Sequence, residues 1–237
     1  MHPLDTMHPL DNVIWQALTT RQAEFAESLG PASRFVPEVS PLAGLREPSS
    51  EGYESLKELV GPEGTTALFL EEPYRDQPGL SLVASAPVLQ MICQDRALLQ
   101  AADHTAIIEI SDADSPEMIE LTALTKPGPF NTRTHELGTY LGIRRDGKLV
   151  AMAGERLKVP GHTEVSAVCT HPEHTGHGYA RILMTEVMRR IRDRGDTPFL
   201  HVREDNERAI ELYRKLGFNR RVTVRLAVLR NVQNGSA

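Results

Sequence analysis

The segment VCTHPEHTGHGYA, residues 168–180, places two glycines between an apolar strand pattern and a helical pattern. Gly176 and Gly178 have no Cβ, so the backbone there can turn tightly and approach a ligand closely. A helix that begins near Gly178 leaves its first amide groups without intrahelical partners and carries a partial positive charge at that end. The segment therefore predicts a backbone cradle for a diphosphate.

The glycine pattern differs from two well-known nucleotide motifs. No Gly-Lys-Ser/Thr follows the glycines, which excludes a P-loop, and the full Gly-x-Gly-x-x-Gly of a dinucleotide fold is missing. Short glycine patterns also occur by chance. The segment alone therefore leaves a phosphate site and a simple turn both open.

His171, His174 and His177 in the same segment raise the alternative of a metal site. A spacing of three residues aligns side chains only on a helix, and Pro172 and the glycines disfavour a helix here. No nearby Asp or Cys completes a familiar zinc pattern. We therefore expect no metal, and we interpret the histidines as loop residues.

The second half of the chain shows alternating strand and helix patterns that would position this segment. The order is β-α-β-β-β-α-β-α-β, which predicts an α+β domain with a mixed sheet. The Asp146-Gly147 pair between two apolar segments predicts a hairpin. The predicted strands are Thr105–Ile110, Thr139–Arg144, Lys148–Leu157, Glu164–Thr170, Phe199–Val202 and Val222–Leu229, and the predicted helices begin at Ser115, Ala180 and Asn206.

The first half of the chain shows no evident catalytic cluster. MHPLDT is followed directly by MHPLDN, so residues 1–7 are excluded from the fold prediction as duplicated sequence. We predict a helix from Asp11 or Asn12 to Gly30 and an irregular connection over residues 31–52. The predicted elements of the first half also include a helix over Tyr53–Val60 and strands over Thr66–Leu70 and Leu80–Ala86. Residues 8–104 are thus predicted to form a small α/β unit, and residues 105–231 a second domain.

Composition and charge exclude several classes of protein. Cys93 and Cys169 form no spaced framework in the 237-residue chain, which argues against a disulfide scaffold and favours a cytoplasmic location. No apolar run is long enough for a membrane span, and no export signal opens the chain. Residues 1–104 hold 6 basic and 15 acidic residues, against 20 and 17 in residues 105–237. We expect neither a nucleic acid nor a membrane partner, although the second half could bind a small polyanion.

A second motif lies downstream of the glycine segment, in the pattern Asn206-x-x-Ala209-x-x-x-Tyr213-x-x-x-Gly217-Phe218. Together with the glycine segment, it makes residues 105–230 resemble the GNAT superfamily of acetyl-CoA-dependent N-acyltransferases. The resemblance is closest to the branch with a C-terminal domain like that of glycine N-acyltransferases. It implies a GNAT-like fold and acetyl-CoA as co-substrate, with the smaller N-terminal unit outside the match.

The resemblance also implies which residues bind the coenzyme. In this family the strand before the loop splays from its neighbour and offers backbone groups to the pantetheine arm, while the loop amides hold the diphosphate. Asn206 matches a residue that contacts the coenzyme arm, although a helix cap explains an asparagine there equally well. Thr175 stands where the family usually has Arg or Gln, so one side-chain phosphate contact is missing. The full implied set is Val168, Cys169, Thr170, Thr175, Gly176, His177, Gly178, Tyr179, Ala180, Arg181 and Asn206.

Acyl transfer to an amine needs a group that removes a proton and an acid near the departing thiolate. Tyr213 matches the family's frequent acid, with a tyrosine packed in the core as the alternative. Glu164 is the candidate base because it lies on the strand that leads to the coenzyme, and Glu155 and His135 are alternatives. Cys169 is interpreted as a small strand residue, because direct transfer needs no acyl-cysteine.

These observations predict an N-acetyltransferase that moves an acetyl or other short acyl group from acetyl-CoA to a primary amine, by direct transfer in a ternary complex. The alternative is a non-catalytic module that binds acyl-CoA for sensing or partner contact. A plain structural protein would require both motifs to be coincidental. Small-molecule and peptide amines are both open as acceptors, and the sequence does not indicate the oligomeric state.

Overall fold

A computed structural model describes residues 8–95 and 107–232. The duplicated segment 1–7 and the predicted strand start at Thr105 lie outside these residues. The helices of the described residues are α1 (Val13–Thr19), α2 (Ser50–Val60), α3 (Ser115–Thr125), α4 (Tyr179–Asp193) and α5 (Glu207–Lys215). The strands are β1 (Ala26–Leu29), β2 (Ala32–Phe35), β3 (Ala43–Leu45), β4 (Thr65–Leu70), β5 (Leu80–Ile92), β6 (Ile108–Ile110), β7 (Tyr140–Arg145), β8 (Lys148–Val159), β9 (His162–Thr170), β10 (Thr197–Arg203) and β11 (Asn219–Asn231).

One mixed sheet organises the fold and confirms the predicted α+β class. Its eight strands have the order β4-β11-β5-β10-β9-β8-β7-β6, and the neighbours are antiparallel except for the parallel pair β9 and β10. The predicted hairpin joins β7 to β8. Asp146 and Gly147 both have positive φ, at 50° and 79°, as a two-residue turn between twisted strands requires.

The parallel pair opens into a cleft. Strands β9 and β10 are paired only over residues 162–164 and 197–199, and beyond this point the two strands diverge. Strand β9 also carries a bulge, because the pairs Met152–Cys169 and Gly154–Ser166 leave Ala167 and Val168 opposite a single residue. Ala167 has a φ of 51°, an uncommon conformation for a residue with a Cβ. The bulge bends β9 away from β10, so the outer end of β9 stays paired with β8 but has no strand partner on its β10 side among the described residues.

The two faces of the sheet are covered by different parts of the chain. On one face α4 and α5 pack in the largest apolar cluster, where Leu183, Met188 and Ile191 of α4 are completely buried. On the other face α1 packs with the loop before β3 and with Phe199 of β10. None of the helices in the described part of the chain has the length and apolar composition needed to cross a bilayer.

The first half of the chain departs from the prediction at two places. The predicted helix over residues 12–30 is wrong beyond Thr19, because β1 follows it and pairs with β2. The segment 31–52 is not wholly irregular, because it contains β2 and β3, which complete a separate three-stranded sheet. Phe25 and Leu29 keep helical spacing with α1, yet strand pairing outweighs this local pattern.

Strands β4 and β5 confirm the two predicted strands of the first half and join the large sheet. Strand β5 lies between β10 and β11, so the sheet contains strands from both sides of residue 104. The division of the chain into two domains, 8–104 and 105–231, stays a prediction.

Candidate active site

The head of α4 offers backbone donors without partners. Gly176 and Gly178 have φ values of 85° and 75°, and a Cβ built on either glycine meets no atom within 4 Å. From Gly176 to Arg181, no amide donates a hydrogen bond to another residue that the structure describes. A row of free amides beside open space at a helix N-terminus is the arrangement that binds a phosphate group.

These amides face a cavity of about 690 Å³ in the cleft between β9 and β10. The outer end of β9, the glycine loop, α5 and the loop after α3 form its walls. Almost every residue predicted to bind the coenzyme lies on these walls. They are Val168, Cys169, Thr170, Thr175, Gly176, Gly178, Tyr179, Ala180, Arg181 and Asn206.

His177 is the predicted coenzyme residue that does not line the cavity. Its Nδ1 lies 3.1 Å from the carbonyl oxygens of both His174 and Thr175, and its ring stacks on Tyr179 at 5.3 Å. The ring thus supports the turn that presents the amides. Residues 8–95 and 107–232 contain no group of three His, Cys, Asp or Glu side chains that could hold a metal ion.

Asn206 caps α5. Its Oδ1 accepts a hydrogen bond from the Ala209 amide at 3.2 Å, which is the capping role that sequence reasoning left open. The side chain also lines the cavity, and its amide nitrogen donates to no residue in the described part of the chain. The cap therefore leaves a donor that a ligand can use.

Tyr213 of α5 lines the cavity with a hydroxyl that has no hydrogen-bond partner among the described residues. Burial raises the pKa of Tyr213 to about 12. The ring packs edge-on against Phe218, with centroids 6.2 Å apart. The hydroxyl is therefore protonated at neutral pH and free to donate a proton or a hydrogen bond.

Glu164 lies under the base of the cleft, where β9 and β10 separate, and its side chain is fully buried. Arg156 of β8 holds it with two hydrogen bonds, from Nε to Oε2 at 2.8 Å and from Nη2 to Oε1 at 2.7 Å. The Leu157 amide donates to Oε2 at 3.2 Å, and His201 Nδ1 lies 2.7 Å from Oε1. Burial by itself would raise the pKa of Glu164, but the Arg156 charge and these hydrogen bonds outweigh it and lower the pKa to about 2.

A hydrogen-bond network extends from Glu164 across the sheet to Leu10, just before α1. The orientation of the Gln90 side chain in β5 is fixed by two contacts. Its Nε2 donates to the Leu10 carbonyl at 3.0 Å, and its Oε1 accepts from Arg221 at 2.9 Å. Its Nε2 therefore also donates to His201 Nε2, 3.2 Å away, and His201 carries its proton on Nδ1, facing Glu164. Both ring nitrogens of His201 are thus engaged.

The other groups weighed as catalytic residues lie outside the cavity or are poorly reactive. Neither Glu155 nor His135 lines the cavity. Glu155 is buried beside Lys158 and Arg194, and His135 Nε2 lies 3.1 Å from Asp112 Oδ1. Burial raises the pKa of Cys169 to about 11, which disfavours the nucleophilic thiolate.

Sequence reasoning missed the side of the cavity that faces away from the glycine loop. Leu42, Phe69 and Leu226 form an apolar wall there, and Arg156 and His201 lie beside it. The sequence offered one signal: Arg156 and Glu164 are oppositely charged residues on two neighbouring predicted strands. Leu42 and Phe69 carried no signal, because their placement depends on pairing across the whole chain.

Comparison with known proteins finds several acetyltransferases similar to this chain. The family described as FR47-like protein matches residues 140–226. N-alpha-acetyltransferase RimI of Mycobacterium tuberculosis is 39% identical over 122 residues, which cover 47% of this chain and 76% of the relative. A crystal structure of a putative GNAT-family acetyltransferase from Novosphingobium aromaticivorans is 34% identical and has a TM-score of 0.88 over 96% of this chain and 100% of that chain. A GCN5-related N-acetyltransferase from Kribbella flavida is 18% identical and shares the fold, with a TM-score of 0.60 over 88% of this chain and 90% of that chain.

Proposed function

Since this chain belongs to the GNAT family and is an acetyl-CoA-dependent N-acetyltransferase, we propose that it moves an acetyl or other short acyl group directly to a primary amine in a ternary complex. The observation that carries the proposal is the row of free amides at the head of α4, which opens on the same cavity as the Tyr213 hydroxyl. One cavity can therefore hold the diphosphate at one end and place the reacting thioester near a proton donor at the other.

The coenzyme fits the residues present. Amides from Gly176 to Arg181 would hold the diphosphate, and they need no side chain, so Thr175 is tolerated where relatives have Arg or Gln. The outer end of β9, at Val168, Cys169 and Thr170, has no strand partner on its β10 side in the described part of the chain and would hold the pantetheine arm there. In the proposal Asn206 supplies one further donor, and His177 acts by supporting the turn.

Tyr213 is the proposed acid. When the amine has attacked the thioester carbonyl, the carbon–sulfur bond breaks and the departing thiolate takes the proton of the Tyr213 hydroxyl. A hydroxyl that burial keeps protonated, and that no described residue already engages, suits this step.

Glu164, the residue predicted to remove the proton of the amine, is proposed to assist this step only indirectly. Its carboxylate accepts four hydrogen bonds and its pKa is lowered to about 2, so it would be a weak direct acceptor. We propose that it acts by holding Arg156 and His201 against the cavity, while the amine loses its proton through water. Glu164 is then a positioning residue.

The finer assignments are also part of the proposal. The proposed assignment of the chain to the glycine N-acyltransferase-like branch of the family rests on the two sequence motifs. An α-amino group is a candidate acceptor because the Mycobacterium tuberculosis relative is called an N-alpha-acetyltransferase.

A domain over residues 105–231 would bind the coenzyme, and residues 8–104 would shape the acceptor side, as the positions of Leu42 and Phe69 support. A cytoplasmic location agrees with two unpaired, buried cysteines.

The test measures the free thiol released from acetyl-CoA in the presence of a panel of primary amines. We expect amine-dependent release, with one acetylated amine formed for each thiol. Calorimetry with coenzyme A on the same preparation separates the alternatives. Binding without turnover on a broad panel would favour a non-catalytic acyl-CoA module, and the absence of binding would contradict the proposal entirely.

A further inference from the structure

The guanidinium of Arg156 has one edge bound and one edge free. The edge formed by Nε and Nη2 is bound to Glu164. Nη1 makes no hydrogen bond to any residue within 8–95 and 107–232, and it is not one of the polar atoms sealed from solvent there. Arg156 lines the cavity although only 8% of its surface is exposed. A fixed cation therefore presents unused donors to the acceptor side of the cleft.

The aim of this guanidinium is set by its surroundings. Glu164 is held in turn by the Leu157 amide and by His201, and His201 is held by Gln90. Each of these groups is buried, so the free edge of Arg156 cannot turn towards bulk water or towards another carboxylate. A pre-organised donor pair of this kind binds an oxygen acceptor with little loss of conformational entropy.

The surrounding wall is apolar and lacks acidic groups. Leu42, Phe69, Val88 and Leu226 line it, and Phe69 packs on the His201 ring at 4.5 Å. Of the described residues that line the cavity, none is Asp or Glu, and the loop after α3 adds Lys126. A second ammonium group on the acceptor would find no counter-charge here and would face cations instead.

From this arrangement we infer that Arg156 determines acceptor specificity by binding an oxygen next to the reacting amine, and that the acceptor is an α-amino acyl group with an apolar side chain. The inference rests on the proposed acyl transfer and specifies its acceptor. The carbonyl or carboxylate oxygen of the acceptor accepts from the free edge of Arg156, and the side chain lies against Phe69 and its neighbours. A free amino acid and a peptide N-terminus share this chemistry.

Matched acceptors test the inference on the full-length protein. Phenethylamine and phenylalaninamide carry the same ring and a primary amine, and only the second has an oxygen beside it. Because an amine beside a carbonyl has a lower pKa than a simple alkylamine, kcat/KM is compared for the neutral form of each acceptor. On that basis we expect phenylalaninamide to have a kcat/KM higher by about tenfold or more, the effect of a hydrogen bond to a charged group. Spermidine should be the poorest acceptor. Phenylalanine and a peptide with N-terminal phenylalanine then distinguish the carboxylate from the carbonyl.

Arg156→Lys tests the residue itself. Lysine keeps a positive charge beside Glu164 but lacks the second planar edge, so the preference for phenylalaninamide over phenethylamine should fall to about twofold or less. Arg189→Lys is the control, because Arg189 is an exposed residue of α4 paired with Glu186, and it should leave the preference unchanged. Thermal melting of each variant verifies folding, and the wild-type comparison stands even where a variant melts early.

The outcomes are distinct. Equal kcat/KM for the matched pair, or a preference for spermidine, overturns the inference and leaves the proposed acyl transfer intact. An unchanged preference in Arg156→Lys overturns the role of Arg156. No acetylation of any amine overturns the proposed function, and the inference with it.

Discussion

Replacing Arg156 with methionine removes the main partner of a fully buried carboxylate, and we expect a large loss of stability. The pKa of Glu164 is lowered from 4.5 to about 2 in the folded protein. Each pKa unit corresponds to about 1.4 kcal/mol, so the site, after the cost of burial is counted, favours the charged form by about 3 kcal/mol at neutral pH. This agrees with the loss of about 3–5 kcal/mol measured when one partner of a buried ion pair is removed.

The pH dependence has a definite sign. Because the folded pKa of Glu164 is below its ordinary value, its contribution is fully present above about pH 4.5 and is lost as the pH falls towards about 2. The difference in the free energy of unfolding between wild type and Arg156→Met should therefore be largest near neutral pH and should shrink in acid.

Urea denaturation followed by circular dichroism measures these free energies of unfolding. Arg156→Met should lower the value by about 3 kcal/mol, and the double variant Arg156→Met with Glu164→Leu should recover at least about half, because no buried charge is left unpaired. Arg189→Met is the control at an exposed ion pair and should cost less than about 1 kcal/mol. A loss below about 1 kcal/mol for Arg156→Met, or no recovery in the double variant, would show that Arg156 is not the main partner that stabilises the buried Glu164 charge.

Four further predictions concern the site. Tyr213→Phe should lower kcat by about 100-fold while coenzyme A affinity stays nearly constant in calorimetry, and an unchanged kcat would rule out the acid role. Because burial raises the pKa of Tyr213 to about 12, a pH–rate profile should show no alkaline loss from its ionisation below about pH 10; a loss centred near pH 8 that disappears in Tyr213→Phe would contradict this. Asn206→Asp keeps the oxygen that caps α5 but removes the donor, so coenzyme A binding should weaken with little change in melting temperature, whereas Asn206→Ala should weaken both; equal binding in all three proteins would leave Asn206 a cap alone. Cys169→Ala should retain most of the activity, since its thiol pKa is raised to about 11, and complete inactivation of the folded variant would point to a covalent step.

Local signals in the sequence were sufficient for the second half of the fold. The Asp146-Gly147 turn, the apolar face of α4 and the Gly195 that follows it with a φ of 87° all depend on neighbouring residues. The glycine segment and the motif over residues 206–218 are also local, and residues of both line one cavity. Ala167 is an exception, because an alanine with positive φ in a strand has no sequence signature.

The remaining features depend on contacts between distant parts of the chain. Insertion of β5 between β10 and β11 is a matter of strand pairing that periodicity does not encode. Glu164 was predicted to be the base from its own strand alone, because its partners, Arg156 and His201, come from two other strands. Its burial and lowered pKa follow from those partners, and they change its proposed role from direct base to positioning residue.

Amide NMR spectra test whether the head of α4 binds the diphosphate. One ligand-free sample is titrated with coenzyme A and a second with pantetheine. We expect coenzyme A to shift the amide resonances from Gly176 to Arg181, and pantetheine, which lacks the diphosphate, to leave them nearly unchanged at the same concentration. If saturating coenzyme A perturbs other residues but leaves these amide resonances unshifted, the diphosphate does not bind at the head of α4.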